Sequence, residues 1–445
     1  MRIGLIAPAL DLNAVGKGER LFMLPPLTFP VLAALTPPDI SVEIVEERVR
    51  PVPFDAGYDL VGITFVTAFA PRAYQIADEY RRRGVTVVLG GPHASVLPEE
   101  AGTHADAVVV GEAEDLWAGL LEDFRQGRLR KVYKAPGLAD LSKFPKPRMD
   151  LIPKEFMFRN ATLASKGCPF HCDFCFVNMI NQYHQRFRPI PDVVRDIEAM
   201  GGTAFERKHF IFWDDNFVGN VPYAKRLCRE LAPLGKKWAV AASVTVAQDD
   251  ELLDLMQKAG CIALFIGMES INSGSLPGAG KRQNTVAKYQ EMIGKLHDHG
   301  IALTGAFVFG FDEDDATVFD RTLDFVNKAA LDCMTTAIMT PLPGTPSGDR
   351  MRRDGRVFDR DWGHYDYFHV VYRPRLMTPE ELYRGFLGFN RDFFSFGSAL
   401  QRLGHSRTQL LLTILANLGY HKFHSRMFRE YEQGLRGVAL PAQAG

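Results

Sequence analysis

Short apolar runs rich in β-branched residues alternate with helical patterns through the first third of the chain. Ile3–Ala7, Val42–Val45, Leu60–Phe65, Val85–Leu89 and Ala107–Val110 each read as a strand buried on both faces. The stretch Pro71–Arg83 predicts a helix: a proline suits its first turn, and Ala73, Ile76, Ala77 and Tyr80 fall on one apolar face. Continuous apolar strands separated by helices predict an α/β fold with a parallel, doubly wound, Rossmann-like sheet over residues 1–135, followed by a linker over residues 136–157. Ligands of such sheets bind at the carboxyl ends of the strands.

The alternation resumes at Ala161. Ala161–Ala164, His209–Trp213, Ala239–Val244, Ile262–Gly267, Leu303–Phe309 and Thr335–Thr340 are candidate strands, with helical faces between them such as Val193–Met200 and Glu251–Lys258. Six βα units predict a partial (β/α)6 barrel over residues 158–370, with active groups where strands end and loops begin. Past Pro379 the pattern is helical and aromatic-rich, so residues 371–445 read as a helical cap or substrate region.

Composition narrows the class. The 445 residues carry a net charge of −1 and are 46% hydrophobic, enough for large cores and without the basic excess of a nucleic-acid partner. Residues 371–445 hold ten Lys and Arg against five Asp and Glu. A helical cap with a solvated basic rim explains this excess; the sharper alternative is that the aromatics line a pocket for a hydrophobic or anionic substrate, and a basic amphipathic helix could also rest on a membrane surface. No uninterrupted apolar run of about 18 residues occurs, and Met1–Ala7 reads as a strand rather than a signal segment, so a monomer in the cytoplasm is expected.

Six cysteines without a secretory pattern do not suggest a disulfide framework. Three of them, Cys168, Cys172 and Cys175, share one short loop with C-x3-C-x2-C spacing, while Cys228, Cys261 and Cys333 are solitary in apolar runs. A structural zinc site wants four closed ligands, and His171 lies awkwardly within the trio. Three thiolates on one loop instead suit three corners of a 4Fe-4S cluster, leaving the fourth iron open to a substrate or cosubstrate.

This loop, Lys166-Gly167-Cys168-Pro169-Phe170-His171-Cys172-Asp173-Phe174-Cys175, resembles the signature of the radical S-adenosylmethionine (SAM) superfamily. Ahead of it, Gly62–Thr67, Gly90-Gly91-Pro92-His93-Ala94-Ser95 and Val110-Gly111-Glu112 resemble the cobalamin-binding domain that precedes many such enzymes. The resemblance implies cobalamin contacts at Thr64, Phe65, Val66, Thr67, Gly90, Gly91, Pro92, His93, Gly111 and Glu112. The D-x-H-x-x-G motif that supplies a cobalt-ligating histidine is absent, so base-off cobalamin without a protein histidine is expected. A loop histidine hydrogen-bonded to backbone is the favoured reading of His93.

Further motifs follow in order. Phe212–Phe217 ends a strand with Asp214 and Asp215, resembling the superfamily position that holds the SAM ammonium; a helix N-cap is the bland alternative. Phe174 and Glu269 resemble cluster- and SAM-side residues, and Ser243 reads equally as a ribose contact or a core hydroxyl. Gly305–Gly310 and Pro341–Pro346 resemble the adenine-side glycines and the turn after the sixth strand. The resemblance covers roughly residues 1–350.

It implies a radical SAM enzyme that methylates an unactivated carbon of a small, hydrophobic or lipid-like molecule. Reductive cleavage of SAM would generate a 5′-deoxyadenosyl radical, and methylcobalamin would deliver the methyl group. A flavodoxin- or ferredoxin-like electron donor is implied with it. Cyclisation, rearrangement or oxidation is the alternative outcome, and a non-catalytic cobalamin or redox sensor is the alternative of another class.

Overall fold

The computed structural model describes residues 1–9, 24, 26–156, 159–404 and 408–432. Parts of two sequence readings, the linker's end at residue 157 and the tail at residues 433–445, lie outside the described residues. The chain divides into two compact units, the first comprising residues 1–162, 187–189 and 361–366, and the second residues 163–186, 190–360 and 367–445.

The first unit holds six strands: β1 (Arg2–Ala7), β2 (Ser41–Glu46), β3 (Leu60–Thr64), β4 (Thr86–Gly90), β5 (Ala107–Val110) and β6 (Val132–Lys134). Their order is β2-β1-β3-β4-β5-β6, all parallel, with the direction of winding reversing between β1 and β3. The sequence pattern anticipates five of these strands. Three-residue β6 at the sheet edge, with only Tyr133 buried, is too short to show a period.

Side chains of successive strand residues enter two separate cores. Ile3, Leu5, Leu60, Val88 and Val109 pack with Phe29, Leu32 and Trp117 on one side; Ile6, Val61, Ile63, Val87, Leu89 and Val108 pack with Ile76, Ala77 and Tyr80 on the other. The helix expected at Pro71–Arg83 spans Ala70–Arg82. Residues 136–156 belong to this unit rather than standing free of it, since Ile152 and Phe156 are buried in its core.

The second unit contains five longer strands, β7 (His209–Phe212), β8 (Lys237–Ala242), β9 (Cys261–Glu269), β10 (Ala302–Phe309) and β11 (Cys333–Ile338). Each pairs in parallel with the next in chain order, the pattern of repeated βα units. The expected strand at Ala161–Ala164 is reduced to Ala161–Thr162, where the first unit ends. Helices follow the strands and bury one stripe each. Val221–Leu231 buries Tyr223, Ala224, Leu227, Cys228 and Leu231, and Asp250–Lys258 buries Leu252, Leu253 and Met256. The C-terminal part is helical: Pro379–Phe393, Phe396–Leu403 and Leu410–Glu432. Arg402 fastens these helices. Its buried guanidinium donates to the carbonyls of Leu331 and Phe393 and to Asn417, and lies 3.7 Å from the Phe393 ring centroid.

One glycine is fixed by close packing at the strand ends of the first unit. Gly91 has φ of +90°, and a Cβ there would overlap Thr64 Oγ1 and stand 3.0 Å from the Phe65 nitrogen. Gly91→Ala is therefore expected to destabilise the first unit by about 1–3 kcal/mol. A lowered urea midpoint with an unchanged slope checks it; an unchanged midpoint would show that the two loops part without cost.

Candidate functional site

Cys168, Cys172 and Cys175 lie on the loop that follows Ser165–Lys166, ahead of the short helix Phe176–Ile180. Backbone conformation starts the loop: Gly167 has φ of +90°, and a Cβ there would overlap the His184 carbonyl. The strand end of β7 then anchors it. Asp214 accepts hydrogen bonds from the Ala164 nitrogen at 2.9 Å and from the Ser165 nitrogen and hydroxyl at 2.6 Å each. Asp215 accepts from the Gly167 nitrogen at 2.7 Å. Asn216 places its amide nitrogen 3.5 Å from Cys168 Sγ and its amide oxygen on the Ser243 nitrogen at 3.1 Å. Three consecutive residues thus hold the loop's approach, its glycine and its first cysteine.

Other segments close on the loop. Asp173 donates its nitrogen to the Ala279 carbonyl at 3.1 Å, accepts the Ser347 nitrogen at 3.1 Å and pairs with Arg350 at 2.8 Å. The Pro341–Pro346 motif accordingly leads into a helix, Pro346–Arg353, that grips the cysteine loop. Phe174 packs edge-on against Phe311, with centroids 5.7 Å apart. Gln283 Nε2 lies 3.8 Å from Cys172 Sγ, and Lys281 pairs with Glu269 at 2.6 Å. Beside Gln283 a cleft of about 280 Å³ opens, lined among others by Val244, Gln248, Thr285, Tyr289 and Lys295.

Burial dominates the electrostatics. It pushes all three thiols up, Cys175 to about 12, against the field of the Lys281 ammonium, which favours their ionised form. Burial also pushes Asp214 up to about 7 despite its three donors. Thiols raised in this way need a cation to ionise, and bound iron would supply one. Among the described residues no three His, Cys, Asp or Glu side chains converge on a single ion. Cubane ligands each bind a different iron and need not converge. The donor set therefore fits a 4Fe-4S cluster better than zinc.

The sequence-expected SAM residues surround this loop unequally. Both oxygens of Asp214 are taken up by the chain's own donors. Asp215 faces the loop glycine, Glu269 is buried beside Lys281, and Ser243 shares its hydroxyl with Thr245 at 2.6 Å. Gly310, expected on the adenine side, has φ of +95° and leaves room for Tyr372 and Leu382, and the Tyr372 hydroxyl donates to its carbonyl. Asn216, Lys281 and Gln283 were not picked out in the sequence. Asn216 directly follows the acidic pair, and the polar run Lys281–Asn284 after Gly280 was the available signal.

In the first unit, Thr64–Thr67, Gly90–His93 and Gly111–Glu112 come together at the strand ends. The Phe65 carbonyl accepts the His93 nitrogen at 3.3 Å, and the Gly111 nitrogen donates to Ser95 Oγ at 3.0 Å. Glu112 is engaged by the Ala139 nitrogen at 2.6 Å. Val66 remains 42% exposed, while a Cβ on Gly90 would make ordinary contact with Val109 at 3.7 Å. His93 is fully buried, its Nε2 is 3.3 Å from Glu100, and its ring lies 5.3 Å from that of Trp362. The expected backbone partner is thus a carboxylate, which Tyr74 and Trp362 also reach. Burial lowers the His93 pKa in spite of Glu100, keeping the ring neutral.

Two family models match the chain, "B12 binding domain" over residues 35–121 and "Radical SAM superfamily" over residues 162–326. A bacteriochlorophyllide d C-12(1)-methyltransferase of Chlorobaculum tepidum is 32% identical over 393 residues, 85% of this chain and 84% of that protein. The bacteriochlorophyllide d C-8(2)-methyltransferase of the same organism is 29% identical over 91% of this chain and 92% of its own. In fold the chain is similar to TsrM of Kitasatospora setae, a radical SAM methyltransferase solved with cobalamin and a 4Fe-4S cluster, with a TM-score of 0.66 at 16% identity over 96% of this chain and 99% of that one.

The anchoring role of Asp214 is testable. Asp214→Ala leaves two buried backbone donors and a hydroxyl without their acceptor, a loss of about 1–3 kcal/mol for each unsatisfied group. Anaerobically reconstituted Asp214→Ala should melt earlier and retain less iron than wild type. Full iron content with an unchanged melting temperature would show that the loop stands without it.

Proposed function

The chain belongs to the cobalamin-dependent radical SAM enzymes, and from that membership we propose that it methylates an unactivated carbon of a small hydrophobic molecule. The observation that carries this reading is the loop of three thiols, in one chain with a doubly wound unit whose strand end is exposed at Val66. Two relatives named for adding methyl groups to a bacteriochlorophyllide support methylation over other radical outcomes. When bound, the cluster and SAM supply a carbon-centred radical and cobalamin supplies the methyl group.

The chain's own residues bind and orient. Cys168, Cys172 and Cys175 would hold three irons. Glu269, Asp215 and Ser243, set around the cysteine loop, would meet the ammonium and ribose of SAM. Thr64–Thr67, Gly90 and Gly91 would form the floor under cobalamin, with no histidine reaching the metal. A general base is not needed for hydrogen-atom abstraction, which suits the absence of a positioned acid–base pair from this reading. The helices at the C-terminal end carry exposed Phe396, Leu400, Leu411 and Leu415, with exposed Lys422 and Arg429 further along. That surface suits an amphipathic substrate or a lipid boundary carrying it. Electrons would come from a flavodoxin- or ferredoxin-type donor.

Anaerobic incubation of the reconstituted enzyme with SAM, cobalamin, a low-potential reductant and extracts rich in hydrophobic pigments or lipids should yield a product heavier by one CH2 unit. Label from methyl-deuterated SAM should appear in it. SAM cleavage with a product of unchanged carbon count would replace methylation by a cyclase or rearrangement reading. A second expectation concerns the cobalt. Bound hydroxocobalamin should show a base-off spectrum that His93→Ala leaves in place, and a coordination shift in that variant would overturn the histidine-free assignment.

A further inference from the structure

The three thiols share their surroundings with a buried cation. The segment from Ala279 to Gln283 wraps the cysteine loop, and Gly280 permits the close approach. Its φ is +72°, and a Cβ there would overlap the His171 carbonyl and stand 3.3 Å from Cys172 Cα. This turn directs Lys281 inward, where its side chain is 13% exposed and its ammonium lies 2.6 Å from Glu269. The pair sits against Gly267, whose missing Cβ would stand 2.9 Å from Lys281 Nζ and overlap the Glu269 carboxylate. Glu269 itself holds φ of +67°, a region non-glycine residues rarely occupy, where the register of β9 against β10 slips. Backbone strain of that kind persists only where the surroundings over-determine it.

A buried ion pair is weak evidence for stability, because desolvation offsets most of the attraction. Its effect on the neighbouring sulfurs is more direct. Lys281 is flanked on both sides by contacts to the cysteine loop: the Asp173 nitrogen donates to the Ala279 carbonyl at 3.1 Å, and Gln283 Nε2 lies 3.8 Å from Cys172 Sγ. Reduction adds one negative charge to an iron–sulfur cluster, and cluster potentials follow the net charge and hydrogen bonds around the sulfurs.

We propose that Lys281 is a positioning residue for electron entry, its fixed charge favouring the one-electron reduction of the cluster, while Glu269 holds that charge in place and moderates it. The electron comes from a low-potential flavodoxin- or ferredoxin-type donor, and no bond is made or broken in this step. The proposal rests on the cluster assignment and is independent of which substrate is methylated.

Midpoint potentials of reconstituted, SAM-free protein, followed by the spin signal of the reduced cluster, test it. Lys281→Met should disfavour reduction at least tenfold, about 59 mV for one electron. Glu269→Gln should shift the midpoint the other way, and Lys281→Arg should keep it near wild type with full iron content. Lys281→Met with full iron and an unmoved midpoint overturns the proposal, as does Glu269→Gln shifting in the same direction as Lys281→Met. Should Lys281→Met hold no iron, Glu269→Gln decides: a raised midpoint supports the assignment and an unmoved one overturns it. Wild-type protein that binds no iron would overturn the cluster assignment and this proposal with it.

Discussion

The carboxylate of Asp214, buried at the end of β7, accepts three hydrogen bonds from residues 164 and 165, and the cysteine loop begins from that anchor. A loop that offers three thiols would leave a metal site unclosed by the protein alone. Its shape has to be imposed from outside. Asp215 holds Gly167, Asn216 reaches Cys168, and Ala279, Ser347 and Arg350 hold Asp173. These partners come from the ends of different βα units, so the parallel strands in chain order are what bring them to one place.

The strand ends of the first unit solve a different problem. There the loops after β3 and β4 are laced together, the His93 nitrogen donating to the Phe65 carbonyl. Gly91 lets the backbone of Phe65 pass close by, and His93 is drawn into the core by Glu100 and Trp362. His93 is thereby a packing residue, fully buried. Gly91 thus serves the chain's own packing, and a Cβ on adjacent Gly90 would make ordinary contact with Val109.

Features carried by local pattern were legible before any coordinates. The alternation of apolar strands and helices was enough for both α/β units, and the spacing of Cys168, Cys172 and Cys175 announced the chemistry. What escaped depends on contacts distant in the chain. Nothing local to Trp362 indicates that it packs with residues 93 and 100, or that Gln283 turns its amide toward Cys172. Asp214 and Asp215 were recognised as important at a strand end, yet a carboxylate that binds a ligand and one that binds backbone look the same in sequence. Short edge strand β6 was missed because three residues carry no period.

The first unit is not a continuous piece of chain: residues 187–189 and 361–366 return to it after long excursions. Trp362 follows all five longer strands of the second unit in the chain, so it is synthesised after them, yet it packs beside His93 in the first unit. Cutting the chain between the two units would separate that tryptophan from His93 and Glu100, its partners in the first unit.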